Sequence, residues 1–141
     1  ETLKKNLLPI LAGTLAGSVT SVLSVIGLCK LFGLDEQLTA SLIPKSVTTP
    51  IAMEISGKLG GIVPITVAAV IVTGIMGAVL APLLIRLFRV KDPVEAGVAI
   101  GTCSHALGTT KALELGEVQG AMSGIAIGVA GIITVLISMF L

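Results

Sequence analysis

The chain has no tryptophan, no tyrosine and a single histidine, and only 12% of its 141 residues are charged. Soluble domains carry about 25% charged residues, so this scarcity of charge excludes an ordinary water-soluble fold. Without an aromatic platform or a basic cluster there is nothing for nucleic acid to stack on or dock against. The net charge of +1 points to no particular partner. The two cysteines, Cys29 and Cys103, lie in or beside apolar segments without metal-ligand spacing. They read as small buried hydrophobes, and no metal or cofactor is expected. One histidine, no Gly-x-Ser-x-Gly and no paired inward carboxylates leave no catalytic constellation, so the chain is not read as an enzyme. Glu54 and Glu114 are placed at segment ends, in water.

What is present is apolar: 54% of the residues are hydrophobic. Three uncharged runs, Asn6 to Cys29, Gly60 to Ile85 and Val118 to Leu141, exceed the roughly 20 residues that a bilayer crossing needs. The expected fold is an all-α integral membrane domain over residues 1–141, with three full transmembrane helices. Glu1 is not an initiator methionine, which suggests a fragment or a processed chain. The first run is too long for a signal peptide and lacks a small-residue cleavage pattern.

Two polar-centred segments interrupt this pattern. The first holds Pro44-Lys-Ser-Val-Thr-Thr-Pro50. Proline removes a donor and pushes the preceding residue out of the helical region, so two prolines promise a non-helical piece between two helical arms. Each arm has about ten residues, a rise of roughly 15 Å or half a bilayer. Thr49 is expected as N-cap and Pro50 as first helical residue of the second arm, with Glu54 and Lys58 an i, i+4 pair near its outer end. The second segment, Gly101-Thr-Cys-Ser-His-Ala-Leu-Gly-Thr-Thr-Lys111, is expected to break at Gly101 and Gly108. Non-helical backbone at membrane depth is tolerated only where it is buried in protein or lines a wet cavity.

The layout recurs. A span followed by a polar-centred segment with a Thr pair (Thr48-Thr49, Thr109-Thr110) and a trailing glutamate gives two repeat units, about 6–58 and 60–115, before a final helix, 116–141. If both segments re-enter without crossing, Lys4, Lys5, Arg86, Arg89 and Lys91 share one side, against Lys30 and Lys58 on the other. Positive charge gathers on the cytoplasmic side, which favours that arrangement. The expectation is therefore two broken or re-entrant segments in an inverted repeat of transporter type, with tips that meet near the midplane.

Lys45 is costly inside a bilayer unless paired or solvated, which makes it a functional candidate as a cation for a carboxylate. The alternative is a lysine snorkelling to the interface. His105 is read as handling substrate or a proton, against a purely structural role. Ser46, Thr48, Thr49, Ser104, Thr109 and Thr110 either bond back to their own helices or cap half-helices whose positive ends face an anion. Lys111 either joins that site or pairs with Glu114. The substrate-binding set is thus Lys45, Ser46, Thr48, Thr49, Ser104, His105, Thr109, Thr110 and Lys111, with Pro44, Pro50, Gly101 and Gly108 as the breaks. In the last span Gly116, Gly120, Gly124 and Gly128 form a small-residue seam, read first as intramolecular packing and second as an oligomer contact. Gly13, Gly17 and Ser21 give a shorter stripe of the same kind.

From Leu42 to Leu141 the chain resembles the LrgB/CidB family of bacterial membrane proteins. Pro44 to Ala52, Gly101 to Thr109 and Gly131-Ile-Ile-Thr134 carry the resemblance, and the chain looks like the later part of a family member. The resemblance implies a bacterial plasma-membrane, multi-pass protein, antiholin-like or an effector of murein hydrolase. It would work with a small holin-like partner of the LrgA/CidA type in control of autolysis and programmed cell death. It also implies transport of a small carboxylate of the pyruvate or glycolate class. The competing implication is a regulatory subunit that tunes its partner and murein hydrolase without transport of its own.

Overall fold

Helix boundaries follow local chemistry in the computed structural model, which describes residues 2–141. Glu1 lies outside the described residues. A single turn, α1 (Thr2–Lys5), leads into α2 (Leu7–Leu31). Then come α3 (Glu36–Leu42), α4 (Thr49–Lys58), α5 (Val63–Leu87), α6 (Pro93–Leu115) and α7 (Glu117–Ser138). Asp35 and Asp92 start α3 and α6 by accepting from the Leu38 and Val94 amides, each at 2.7 Å. Gly33, Gly60 and Arg89 end α2, α4 and α5 at positive φ (68°, 79° and 54°). The next amide in each case bonds back to close the last turn: Leu34 to Cys29, Gly61 to Ser56 and Val90 to Ile85.

Helices α2, α5 and α7 are long and apolar enough to cross a membrane, and they coincide with the three uncharged runs. Residues 43–48 separate α3 from α4. Helix α6 is two helices joined at His105, whose φ of 43° and ψ of −138° are non-helical. The two arms fold against each other: a Cβ at Gly108 would touch the Ile100 Cγ2 at 3.0 Å, and Ala112 shares a cluster with Ile100. Contacts with α7 show the reversal. Gly97 lies at Gln119 and Met122 and Gly101 at Ser123, whereas on the way back Thr109 meets Ser123 and Leu113 meets Gly120.

Each long helix touches the α3–α4 segment along one half and α6 along the other. On α5, Thr66 bonds Ser56 and Val70 packs with Val47 and Ala52, while Gly74 meets His105 and Ala81 meets Ile100 and Ala112. On α2, Ile10 packs with Val94 and Val98 and Gly17 meets Thr102, while Val22, Val25 and Cys29 pack with Ile43. Helix α7 repeats this, with Met122 and Ala126 beside Val94 and Val98, then Gly131 beside Ile51. On α2 and α5 the contacts with the α3–α4 segment and with α6 therefore change over at about the middle of each helix.

Several expectations are corrected. Gly101 and Gly108 are not the breaks. Both stay helical and serve close approach: a Cβ at Gly101 would stand 2.8 Å from the Ser123 Cα, and one at Gly108 would run into Ser104. Lipid tails are as apolar as leucine, so helix association in a bilayer depends on such close packing. The N-cap of α4 is Thr48, not Thr49, which is the first helical residue; Pro50 follows in the first turn. The glycine seam of α7 is divided. Gly116 abuts Gln119 and Gly120 abuts Leu113, but Gly124 and Gly128 have nothing within 4 Å of an added Cβ. As intramolecular packing the seam ends at Gly120, because the later two glycines rotate onto the outer face of α7. Cys29 is buried but Cys103 is exposed. Glu54 and Lys58 form no ion pair; among the described residues the one salt bridge is Lys111–Glu114.

Candidate functional site at the junction of the helix breaks

Pro44, fully buried, and Pro50 hold Lys45, Ser46 and Val47 out of helical geometry between α3 and α4. The Lys45 Nζ donates to the Ser46 Oγ at 3.1 Å. The Ser46 Oγ is in turn 2.9 Å from the Ser21 Oγ of α2. Lys45 is half-buried, and among the described residues no carboxylate lies within ion-pair distance of it. An ammonium has three donors, and one is used.

The tip of the α3–α4 segment faces the tip of α6. The two share a neighbour on α5: Val70 packs with Val47 of the first segment, and its carbonyl meets His105 of the second. The His105 side chain is buried, and its Nε2 sits 2.8 Å from the carbonyl oxygen of Val70. A carbonyl only accepts, so Nε2 carries the proton and Nδ1 is the nitrogen left over. Gly74 makes room for this ring and Gly77 for the buried Ser104, since a Cβ at either position would overlap those side chains.

The hydroxyls divide by placement. The Ser46 hydroxyl is at the junction. Thr48 gives no side-chain cap to α4, whose first amides lie beside Lys45 in the chain and add a partial positive charge. Thr109 donates to the His105 carbonyl at 2.9 Å and is 2.7 Å from the Ser123 Oγ, which ties the second arm to α7. Thr110 bonds back to Ala106 at 3.4 Å on an exposed face. Lys111 is held by Glu114 at 2.6 Å and lines an outer groove with Thr110, Ala78, Val79 and Pro82. Lys45 and Ser46 thus share the first segment, His105 and Ser104 lie at the turn of the second with Val70 between Val47 and His105, and Thr110 and Lys111 face outward.

Sequence reasoning missed three partners: the Val70 carbonyl, Ser123 and the hydroxyl role of Ser21. A signal did exist for the last. Thr14, Ser18 and Ser21 recur at helical spacing on the buried face of an apolar span, and the Thr14 Oγ1 and Ser18 Oγ are buried without a hydrogen-bond partner. No such signal marks a backbone carbonyl.

Two apolar grooves lead inward. One, of about 380 Å³, runs between α5 and the first arm of α6 from Phe88 and Val90 to Thr73 and Ser104. The other, of about 280 Å³, runs between α2 and the same arm. Both reach Cys103. A larger groove of about 710 Å³ lies at the far ends of α4 and α7; none of these three grooves is lined by Lys45 or His105. Chemically, a half-buried ammonium such as that of Lys45 is a group that binds anions. Among the described residues no cluster of three metal-ligating side chains exists.

The whole chain, residues 1–141, matches the model of the LrgB-like family. The uncharacterized protein YxaC of Bacillus subtilis is 39% identical over 129 residues, covering 92% of this chain and 56% of that protein. The antiholin-like protein LrgB of Bacillus cereus is 42% identical over 137 residues, covering 97% of this chain and 60% of the relative. Its Bacillus anthracis counterpart gives the same figures. The chain therefore spans 56–60% of the length of these relatives. No solved structure matches it.

Proposed function

This chain belongs to the LrgB-like family and is a multi-pass membrane protein, and from that premise we propose that it carries a small carboxylate across the bilayer through the junction of its two helix breaks. The observation that carries this reading is Lys45: a half-buried ammonium that, among the described residues, has a single hydroxyl partner and no carboxylate in range, four positions before the first residue of α4. An unpaired cation at membrane depth is expensive, and an anionic solute offsets that cost.

On this reading residues 6–58 and 60–115 are inverted repeats whose broken segments enter from opposite faces without crossing. Lys4, Lys5, Arg86, Arg89 and Lys91 lie on the cytoplasmic side. His105, with Nε2 engaged by Val70, offers Nδ1 to the solute or to a coupled proton. Control of autolysis then follows from carboxylate handling in the same membrane.

The test is uptake of radiolabelled pyruvate and glycolate into proteoliposomes containing the full-length protein, with and without an LrgA/CidA-type partner. Saturable, competable uptake that falls at least tenfold in Lys45→Ala is the expected result. Leakage indifferent to solute, or uptake unchanged in Lys45→Ala, overturns it.

A second reading has its own support. The relatives are called antiholin-like, and Gly124 and Gly128 present a small-residue face on α7 that none of the described residues covers. An antiholin-like subunit that docks a holin-family partner there, or a second copy of itself, and tunes murein hydrolase without transport fits those two facts.

A further inference from the structure

The hydrogen bonds around Lys45 extend beyond the motif that contains it. Ser46 is the only side chain that bonds the ammonium among the described residues, and the Ser46 Oγ also meets the Ser21 Oγ of α2, 25 positions earlier in sequence. Ser21 sits one turn after Gly17, which touches Thr102 of α6. Helix α2 therefore contacts both broken segments within a single turn, and Ser21 is its polar contact with the first.

We propose that Ser21 is a positioning residue for the anion site: its hydroxyl holds Ser46, and through Ser46 the Lys45 ammonium, in the geometry that accepts a carboxylate. This rests on the carboxylate reading above. The donor bookkeeping gives Ser21 that role. The Lys45 N–H donates, so one Ser46 lone pair is taken. Without a solute, the Ser46 proton is free to point to Ser21. When a carboxylate reaches Lys45, the Ser46 O–H turns to donate to it, and the Ser21 O–H then donates into the second Ser46 lone pair. Ser21 can serve in either direction because a hydroxyl both donates and accepts, so Ser46 keeps two protein partners in both states. Alanine at position 21 removes that exchange, leaving Ser46 and the flexible lysine stem to be ordered by the solute alone.

Ser21 is linked to the ammonium through Ser46, so the expected effect falls on apparent affinity. In the proteoliposome assay with radiolabelled pyruvate, Ser21→Ala raises KM about tenfold, the worth of one charge-linked hydrogen bond, and leaves the maximal rate within about twofold. Ser21→Thr, which keeps the hydroxyl, restores KM. The double variant Ser21→Ala/Ser46→Ala has the KM of Ser46→Ala alone, because Ser21 acts through Ser46. A KM unchanged in Ser21→Ala overturns the proposal, as does an additive double variant or a loss of rate at constant KM. If Ser21→Ala does not reconstitute, Ser21→Cys, with a weaker donor of similar shape, carries the same prediction. No saturable uptake in the unsubstituted protein refutes the carboxylate reading itself, whereas normal uptake with an indifferent Ser21 refutes only this role.

Discussion

His105 donates from Nε2 to the Val70 carbonyl at 2.8 Å, and it does so from a backbone conformation, φ 43° and ψ −138°, that side chains rarely adopt. The hydrogen bond and the reversal of α6 are thus one feature: the residue that turns the chain also fastens the turn to α5.

Substitution at this position separates the two contributions. His105→Ala loses the hydrogen bond and keeps the backbone strain, whereas His105→Gly loses the bond and releases the strain. His105→Gly is expected to be more stable than His105→Ala by about 1–2 kcal/mol. Thermal unfolding of the detergent-purified variants measures it, and the opposite order means that the turn is unstrained.

Gly101 of α6 and Gly128 of α7 should respond oppositely to alanine. A methyl at Gly101 meets the Ser123 backbone, so Gly101→Ala forces α6 from α7 at a cost of about 1–3 kcal/mol. Gly128→Ala meets nothing within 4 Å and gains up to about 1 kcal/mol of helix propensity. Melting temperatures should fall for the first and hold or rise for the second. A destabilised Gly128→Ala would show that this face is covered in the purified protein.

Bulk on the open face of α7 tests the partner reading. Gly124→Leu and Gly128→Leu are expected to abolish co-purification with an LrgA/CidA-type partner and leave carboxylate uptake within about twofold. Retained co-purification places the partner contact elsewhere.

Lys111 offers a negative control. Its pair with Glu114 is exposed, and exposed pairs contribute about 0–1 kcal/mol. Lys111→Ala should leave both melting temperature and uptake close to those of the unsubstituted protein. A tenfold loss of uptake would return Lys111 to the anion site.

Much of the site was legible because its chemistry is foreign to its setting. Lysine, histidine and hydroxyls at the centres of apolar segments, bracketed by prolines, are costly unless used, so Lys45, Ser46 and His105 stand out in the sequence. Thr110 and Lys111 stand out for the same reason, yet they face outward. They lie five and six residues past the turn on a helical arm, and which face of that arm is inward depends on α5 and α7. The break shows the same limit. Glycine permits a turn and also permits close packing, and sequence does not distinguish the uses. Gly101 and Gly108 serve packing, and the turn falls on His105 between them.

By itself the sequence determined the membrane setting, the three long helices and the places where polar groups interrupt them, because apolar run length and proline act locally. The helix-packing partners, the bond from His105 to a main-chain carbonyl 35 positions away, the link from Ser21 to Ser46 and the outward face of Gly124 and Gly128 were decided only by tertiary structure. Those depend on how helices rotate about their axes and which backbones come close. In a bilayer that rotation is set by the fit of small residues against neighbouring helices, a pairwise property that no single stretch of chain contains.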